Sequence, residues 1–116
     1  MSTNAIDDQV VDTQVVDIQV VKNTSNNMNN LKCAVVIPAY NEALTIKKLV
    51  DKVLLQRPTE LIVINDCSSD DTLAILEDLP IILINNKSNL GKAASLWKGF
   101  DKAIELGVDI VITLDG

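Results

Sequence analysis

Four short runs, Cys33-Ala34-Val35-Val36-Ile37, Leu61-Ile62-Val63-Ile64, Ile81-Ile82-Leu83-Ile84 and Asp109-Ile110-Val111-Ile112-Thr113-Leu114, are almost continuously apolar rather than alternating. A strand with one wet face alternates, so runs of this kind predict strands buried on both faces, the habit of parallel sheets covered by helices. The segments between them carry helical spacing. Ile46, Leu49, Val50, Val53 and Leu54 take one face of the first, with Lys47, Lys48, Asp51 and Lys52 on the other. The second begins near Ser68 or Ser69, either of which can cap a short helix with Asp70 and Asp71 in its first turn. In the third, Ala93, Leu96, Trp97, Phe100, Ala103 and Ile104 form a broad apolar stripe that ends at Gly107, a C-cap residue. Trp97 and Phe100 are expected in the core. The order β-α-β-α-β-α-β with right-handed crossovers predicts an α/β fold with a doubly wound, mainly parallel sheet. A strand order of 3-2-1-4 among these four would leave the third and fourth as edges open to self-association.

The first thirty residues have a different character. Gln9 to Val21 reads QVVDT, QVVDI, QVV, and a period of five matches neither helix nor strand. The Asn-rich stretch from Asn23 to Asn30 has little to bury. Residues 1–30 are therefore read as a disordered or weakly β-prone tail, and residues 31–116 as one domain.

Charge and residue inventory exclude several classes. A net charge of −6 argues against a nucleic-acid partner, which needs clustered cations. No run reaches the length of a membrane span, and Met1 to Ala5 lacks the basic start and apolar core of a signal peptide, so the default expectation is a cytosolic chain. Two cysteines in that setting are expected to be reduced. The sequence has no histidine, which leaves no Ser-His-Asp triad within this chain and makes a zinc site unexpected.

Open α/β sheets bind ligands beyond the carboxyl ends of their strands. At those ends stand Pro38-Ala39-Tyr40-Asn41-Glu42, Asn65-Asp66, Asn85-Asn86 and Asp115. Taken singly, each has a structural explanation. Pro38 and Asn41 can end a strand and cap a helix, Asp66 can bond its own turn, and Asp70 and Asp71 read as helix-start charges rather than ligands. Gly91-Lys92 lacks the G-x-x-x-x-G-K-[ST] spacing of a phosphate loop, and no G-x-G-x-x-G follows the first strand.

The joint pattern is more specific. Val36 to Glu42, Ile64 to Thr72, Asn89 to Ala94 through Gly99, and Leu114-Asp115-Gly116 together resemble the family 2 inverting glycosyltransferases, which have the GT-A fold. The resemblance covers residues 33–116. It implies that Pro38, Ala39, Tyr40 and Glu42 line the pocket for a nucleotide base and ribose, and that Asp66 accepts a hydrogen bond from the base. Gly91 and Lys92 approach the donor, with Lys92 a candidate phosphate contact. Asp115 matches the first acid of a D-x-D type motif, near the ribose and a Mg²⁺ or Mn²⁺ ion that bridges the diphosphate. The implied partner is a nucleotide-diphosphate sugar. Such an ion offsets the charge that builds on the leaving group, while a carboxylate base takes the acceptor's proton. By the same resemblance the base and the acceptor half belong to a later segment, so the chain reads as a fragment without catalytic residues. The other reading is a non-catalytic nucleotide-binding or interaction module of the same fold.

Overall fold

The computed structural model describes residues 16–20 and 31–115, and a five-stranded sheet organises them. In chain order the elements are β1 (Val16–Val20), β2 (Cys33–Ala39), α1 (Ile46–Leu55), β3 (Glu60–Asn65), α2 (Thr72–Glu77), β4 (Ile82–Asn85), α3 (Lys92–Glu105) and β5 (Ile110–Leu114). The sheet order is β1-β5-β2-β3-β4. β5, β2, β3 and β4 are mutually parallel, and β1 lies antiparallel on β5 with Val16 opposite Leu114 and Val20 opposite Ile110. The four strands read from the apolar runs thus stand in the expected 3-2-1-4 order.

Both faces of the sheet are covered, which is why the runs do not alternate. On one face Val35, Ile37, Leu61 and Val63 meet Ile46, Leu49, Val50 and Val53 of α1 and Leu76 of α2. On the other, Ala34, Val36, Ile62, Ile64 and Val111 meet Ala103 and Val108, with Leu96 and Phe100 of α3 partly buried against them. α1 is amphipathic as its spacing predicts, and Lys47 pairs with Asp51 at 2.8 Å on its wet side. α3 ends at a complete Schellman motif. The Val108 N–H donates to the Ala103 carbonyl and the Gly107 N–H to that of Ile104, with Gly107 at φ 79.

Four sequence expectations change. The first concerns the buried face of α3, which is Ser95, Gly99 and Ala103, not the large apolar residues. Small residues let the helix backbone lie on β2 and β3: a Cβ at Gly99 would stand 2.3 Å from Val36 Cγ1. Trp97 is consequently 65% exposed rather than core, stacked edge-on to Phe100 at 5.8 Å, and Ile104 is exposed too.

The fourth core strand is also not an edge. β1 pairs along it, so the self-association expected through β5 loses that surface, and the edges of the described sheet are β1 and β4. β1 itself comes from the segment read as a tail; its Val and Ile content suits a strand once an unpaired neighbour supplies the ladder. The rest of residues 1–30, and the reading of it as a disordered or weakly β-prone tail, lies outside the described residues.

The last difference is at α2, which starts at Thr72 and so leaves Asp70 and Asp71 outside it. Ser68 and Ser69 bond elsewhere, and the Asp70 carboxylate takes the Thr72 N–H at 2.9 Å. No helix of the described residues is long and apolar enough to cross a membrane.

Candidate functional site

Because β2, β3 and β5 are parallel, the residues that follow them leave on one side of the sheet and meet. Pro38, Ala39, Tyr40, Glu42, Asp66, Gly91, Lys92 and Asp115 all line a single crevice of about 260 Å³, together with Asn89 and Ser95. All eight residues singled out from the sequence are brought together. An apolar groove of about 360 Å³ lies elsewhere, between α3 and the β1–β5 pair, but its lining of Gln19, Ala93, Leu96, Trp97, Phe100 and Thr113 carries no ionisable group. The smaller crevice, by contrast, is lined by the ionisable side chains of Tyr40, Glu42, Asp66, Lys92 and Asp115.

β2 delivers Pro38 and Ala39 without interruption, and Pro38 belongs to the strand rather than ending it. The Asp66 N–H donates to the Ala39 carbonyl, so residue 39 faces β3 and residue 38 faces the β5 side. Pairing with β5 stops at Val36, so the N–H that proline lacks is not needed there. Beyond the strand, Asn41 adopts φ 52, a left-handed conformation that asparagine tolerates. Its side-chain oxygen accepts the Ser69 N–H at 2.8 Å and the Asp70 N–H at 3.3 Å, while its own N–H donates to Ser68 Oγ. The Glu42 N–H donates to Thr72 Oγ1 and the Ala43 N–H to Asp70. Asn41, Ser68, Ser69, Asp70 and Thr72 therefore lace the loop after β2 to the loop after β3, holding Tyr40 half-exposed at the rim.

Asp66 is buried, and both of its carboxylate oxygens accept hydrogen bonds. Its Oδ1 accepts the Leu90 N–H at 2.8 Å and the Asn86 amide at 2.9 Å, and its Oδ2 accepts the Gly91 N–H at 2.9 Å. Burial alone would raise its pKa. The bonds from Asn86, Leu90, Gly91 and Ser95 outweigh that and hold it below the ordinary carboxylate value. Asp66 is thus an ionised acceptor that also fixes the loop entering α3, where Gly91 at φ 96 makes the turn. Behind it the buried Asn86 donates to Ser95 Oγ and accepts from Lys98 Nζ at 2.8 Å.

The family model for "Glycosyl transferase family 2" matches residues 34–116. The chain belongs to this family. The UDP-N-acetylglucosamine–dolichyl-phosphate N-acetylglucosaminyltransferase of Methanococcus voltae is 31% identical, over 70% of this chain and 39% of its own length. An undecaprenyl-phosphate 4-deoxy-4-formamido-L-arabinose transferase of Proteus mirabilis is 35% identical, over 72% of this chain and 28% of its own. The corresponding transferase of Yersinia pestis is 33% identical over the same shares. The family 2 chain described here thus spans well under half the length of these relatives.

One ion pair dominates the open end of this family 2 crevice. Lys92 Nζ lies 2.6 Å from Asp115 Oδ2, with both side chains partly exposed. Lys92 opens α3 and adds its charge to the positive end of that helix. A divalent ion needs several hard oxygen donors. Asp115 offers one carboxylate, already paired, and the described residues contain no group of three His, Cys, Asp or Glu side chains fit to hold a metal. Among the described residues only Asp115 answers to the ion site that the resemblance implies, and that site is incomplete here.

Asn86, Asn89 and Ser95 were not singled out as site residues. Polar residues in a loop or at a helix start have no periodicity to betray them, and only the fold shows that they back Asp66. The Cys33 and Cys67 thiols are free.

Proposed function

We propose that this chain forms the donor side of a glycosyltransferase and binds the nucleotide part of a nucleotide-diphosphate sugar in the crevice beyond β2, β3 and β5. The observation that carries this reading is the convergence of Tyr40, Asp66, Lys92 and Asp115, from four separate chain segments, on one crevice in a family 2 domain. Each has a role that suits its chemistry. Tyr40 presents a half-exposed ring on which a base can stack. Asp66, ionised and with lone-pair capacity left on Oδ2, accepts from a base N–H. Lys92 and the start of α3 face the diphosphate, and Asp115 marks the sugar end.

The crevice is smaller than the ~300–1,000 Å³ common for ligand sites, as expected of one wall of a larger pocket. The catalytic base and the acceptor surface are assigned to the part of the full-length relatives that this chain does not cover. The relatives' names carry dolichyl-phosphate and undecaprenyl-phosphate, so the proposed acceptor is a polyprenyl phosphate. A Mg²⁺ or Mn²⁺ ion, implied by the family resemblance, would take Asp115 and need further oxygens from the donor and from outside the described residues.

Calorimetric titration of the 116-residue chain with uridine and guanosine diphosphate sugars tests the reading. Saturable binding of one of them is expected, weakened about tenfold in Tyr40→Ala by loss of base stacking, with no cost to the fold because the ring is half-exposed. Absence of binding by both, or an unchanged affinity in the variant, would overturn it.

A further inference from the structure

β1 is cut from a repeat, and its register on β5 selects the frame. The paired segment is Val16-Asp17-Ile18-Gln19-Val20, set against Leu114, Thr113, Ile112, Val111 and Ile110 in that order. Directly before it stands Val11-Asp12-Thr13-Gln14-Val15, and before that Ile6-Asp7-Asp8-Gln9-Val10. Val11–Val15 and Val16–Val20 differ at one position, Thr13 against Ile18. We propose that the β5 edge is a docking surface for this chain's own repeat in two registers, Val11–Val15 replacing Val16–Val20 five residues out of step.

The ladder itself cannot tell the two apart, because its hydrogen bonds are made by backbone groups that both segments possess. What normally fixes register is the side-chain pattern, since a slipped strand sets the wrong residues opposite its neighbour. A slip of one repeat avoids that penalty. Val again stands opposite Leu114 and Ile110, Asp opposite Thr113 and Gln opposite Val111. Only the residue opposite Ile112 changes, from Ile18 to Thr13. Ile18 is 61% exposed, so little of its side chain is available to discriminate, and isoleucine and threonine are both good strand formers. The connection to β2 lengthens by one repeat, and loop closure costs rise only with the logarithm of length. The two registers therefore lie within about tenfold of each other in population, with Val16–Val20 favoured. The first pentapeptide is excluded, because it would set the Asp8 carboxylate opposite Ile112 in a strand. The device keeps β5 covered whichever repeat is in place.

Trp97, the sole tryptophan, shares a groove with Gln19 and so reports the register. In a Cys33→Ala, Cys67→Gly background, a nitroxide is attached through Gln19→Cys or, separately, through Gln14→Cys. The label at 19 is expected to quench Trp97 fluorescence strongly and the label at 14 weakly. Exchanging the central residues, Thr13→Ile with Ile18→Thr, is expected to reverse that order. A label at 14 that is silent in both backgrounds would overturn the proposal. Quenching that grows with protein concentration would also overturn it, by assigning the edge to the tail of a second copy. As an independent check in the otherwise intact chain, deletion of residues 16–20 should leave a monomer with nearly unchanged thermal midpoint. Deletion of 6–20 should bare β5 and cause association. Equal behaviour of the two deletions would count against a reserve repeat.

Discussion

Cys67 sits beside Asp66 at φ 59, a conformation that costs an ordinary L-residue about 1 kcal/mol. Cys67→Gly removes that cost, although glycine also loosens the unfolded chain, so a net gain of about 0.5 kcal/mol is expected in denaturant unfolding. Gly99→Ala should do the opposite. A Cβ there meets Val36 Cγ1 at 2.3 Å and Ile64 Cδ1 at 2.7 Å, and overpacking of this kind costs about 1–3 kcal/mol. A neutral outcome at Gly99 would show that α3 can lift from the sheet. At Asp66 the prediction is one of pH. Its folded pKa is depressed, so its contribution to stability is present above the unfolded value near 3.9 and is lost as pH falls through the folded one. Asp66→Asn sets an amide donor among the Leu90, Gly91 and Asn86 donors and should cost about 1–3 kcal/mol at pH 7. The gap between wild type and variant should stay constant down to about pH 5 and narrow below pH 4. A gap that persists to pH 2.5 would mean that the carboxylate's charge contributes nothing there.

The elements show which signals the sequence carries. A strand buried on both faces has no choice but to be apolar throughout, so β2, β3, β4 and β5 could be read directly. A helix against a sheet has a choice. α3 approaches closely through Ser95, Gly99 and Ala103, and a hydrophobicity count gives such residues little weight while it counts Trp97 and Ile104 heavily. The stripe thus shares Ala103 with the true contact line but misses Ser95 and Gly99 and includes the exposed Trp97 and Ile104. β1 was hidden for another reason: its period of five gives it no face of its own, and it becomes a strand only where β5 offers a ladder. In the crevice, the strand-end residues were legible because parallel strands must deliver them to one side. The Asn86–Ser95–Lys98 support behind Asp66 was not, because it joins β4 to α3 through side chains. The reassigned helix face can be checked by truncation. Trp97→Ala should cost only the edge contact to Phe100, about 0.5–1.5 kcal/mol, whereas Leu76→Ala on α2, 1% exposed, should cost about 2–5 kcal/mol. Equal losses in thermal unfolding would restore Trp97 to the core.

At the scale of the whole molecule, the net charge of −6 sets the terms on which an anionic donor can bind. Within the crevice, Glu42, Asp66 and Asp115 supply three carboxylates against the single ammonium of Lys92. A nucleoside carries no charge and should be indifferent to that balance, while a nucleoside diphosphate must be met by Lys92 and the start of α3 or be repelled. Lys92 is held by Asp115 at 2.6 Å, so binding a diphosphate has to share or exchange that partner. Lys92→Met keeps the length of the side chain and removes its charge. A charge-assisted hydrogen bond is worth about 1.5–3 kcal/mol, and because Lys92 is more than half exposed the lower end applies, which is roughly tenfold in affinity. The expected result is therefore a tenfold loss for the nucleoside diphosphate, an unchanged affinity for the matching nucleoside, and a shallower salt dependence of the former. If both ligands weaken together, Lys92 holds the shape of the crevice and not the phosphate. If neither weakens, the diphosphate lies elsewhere and the assignment of Lys92 to the donor is wrong.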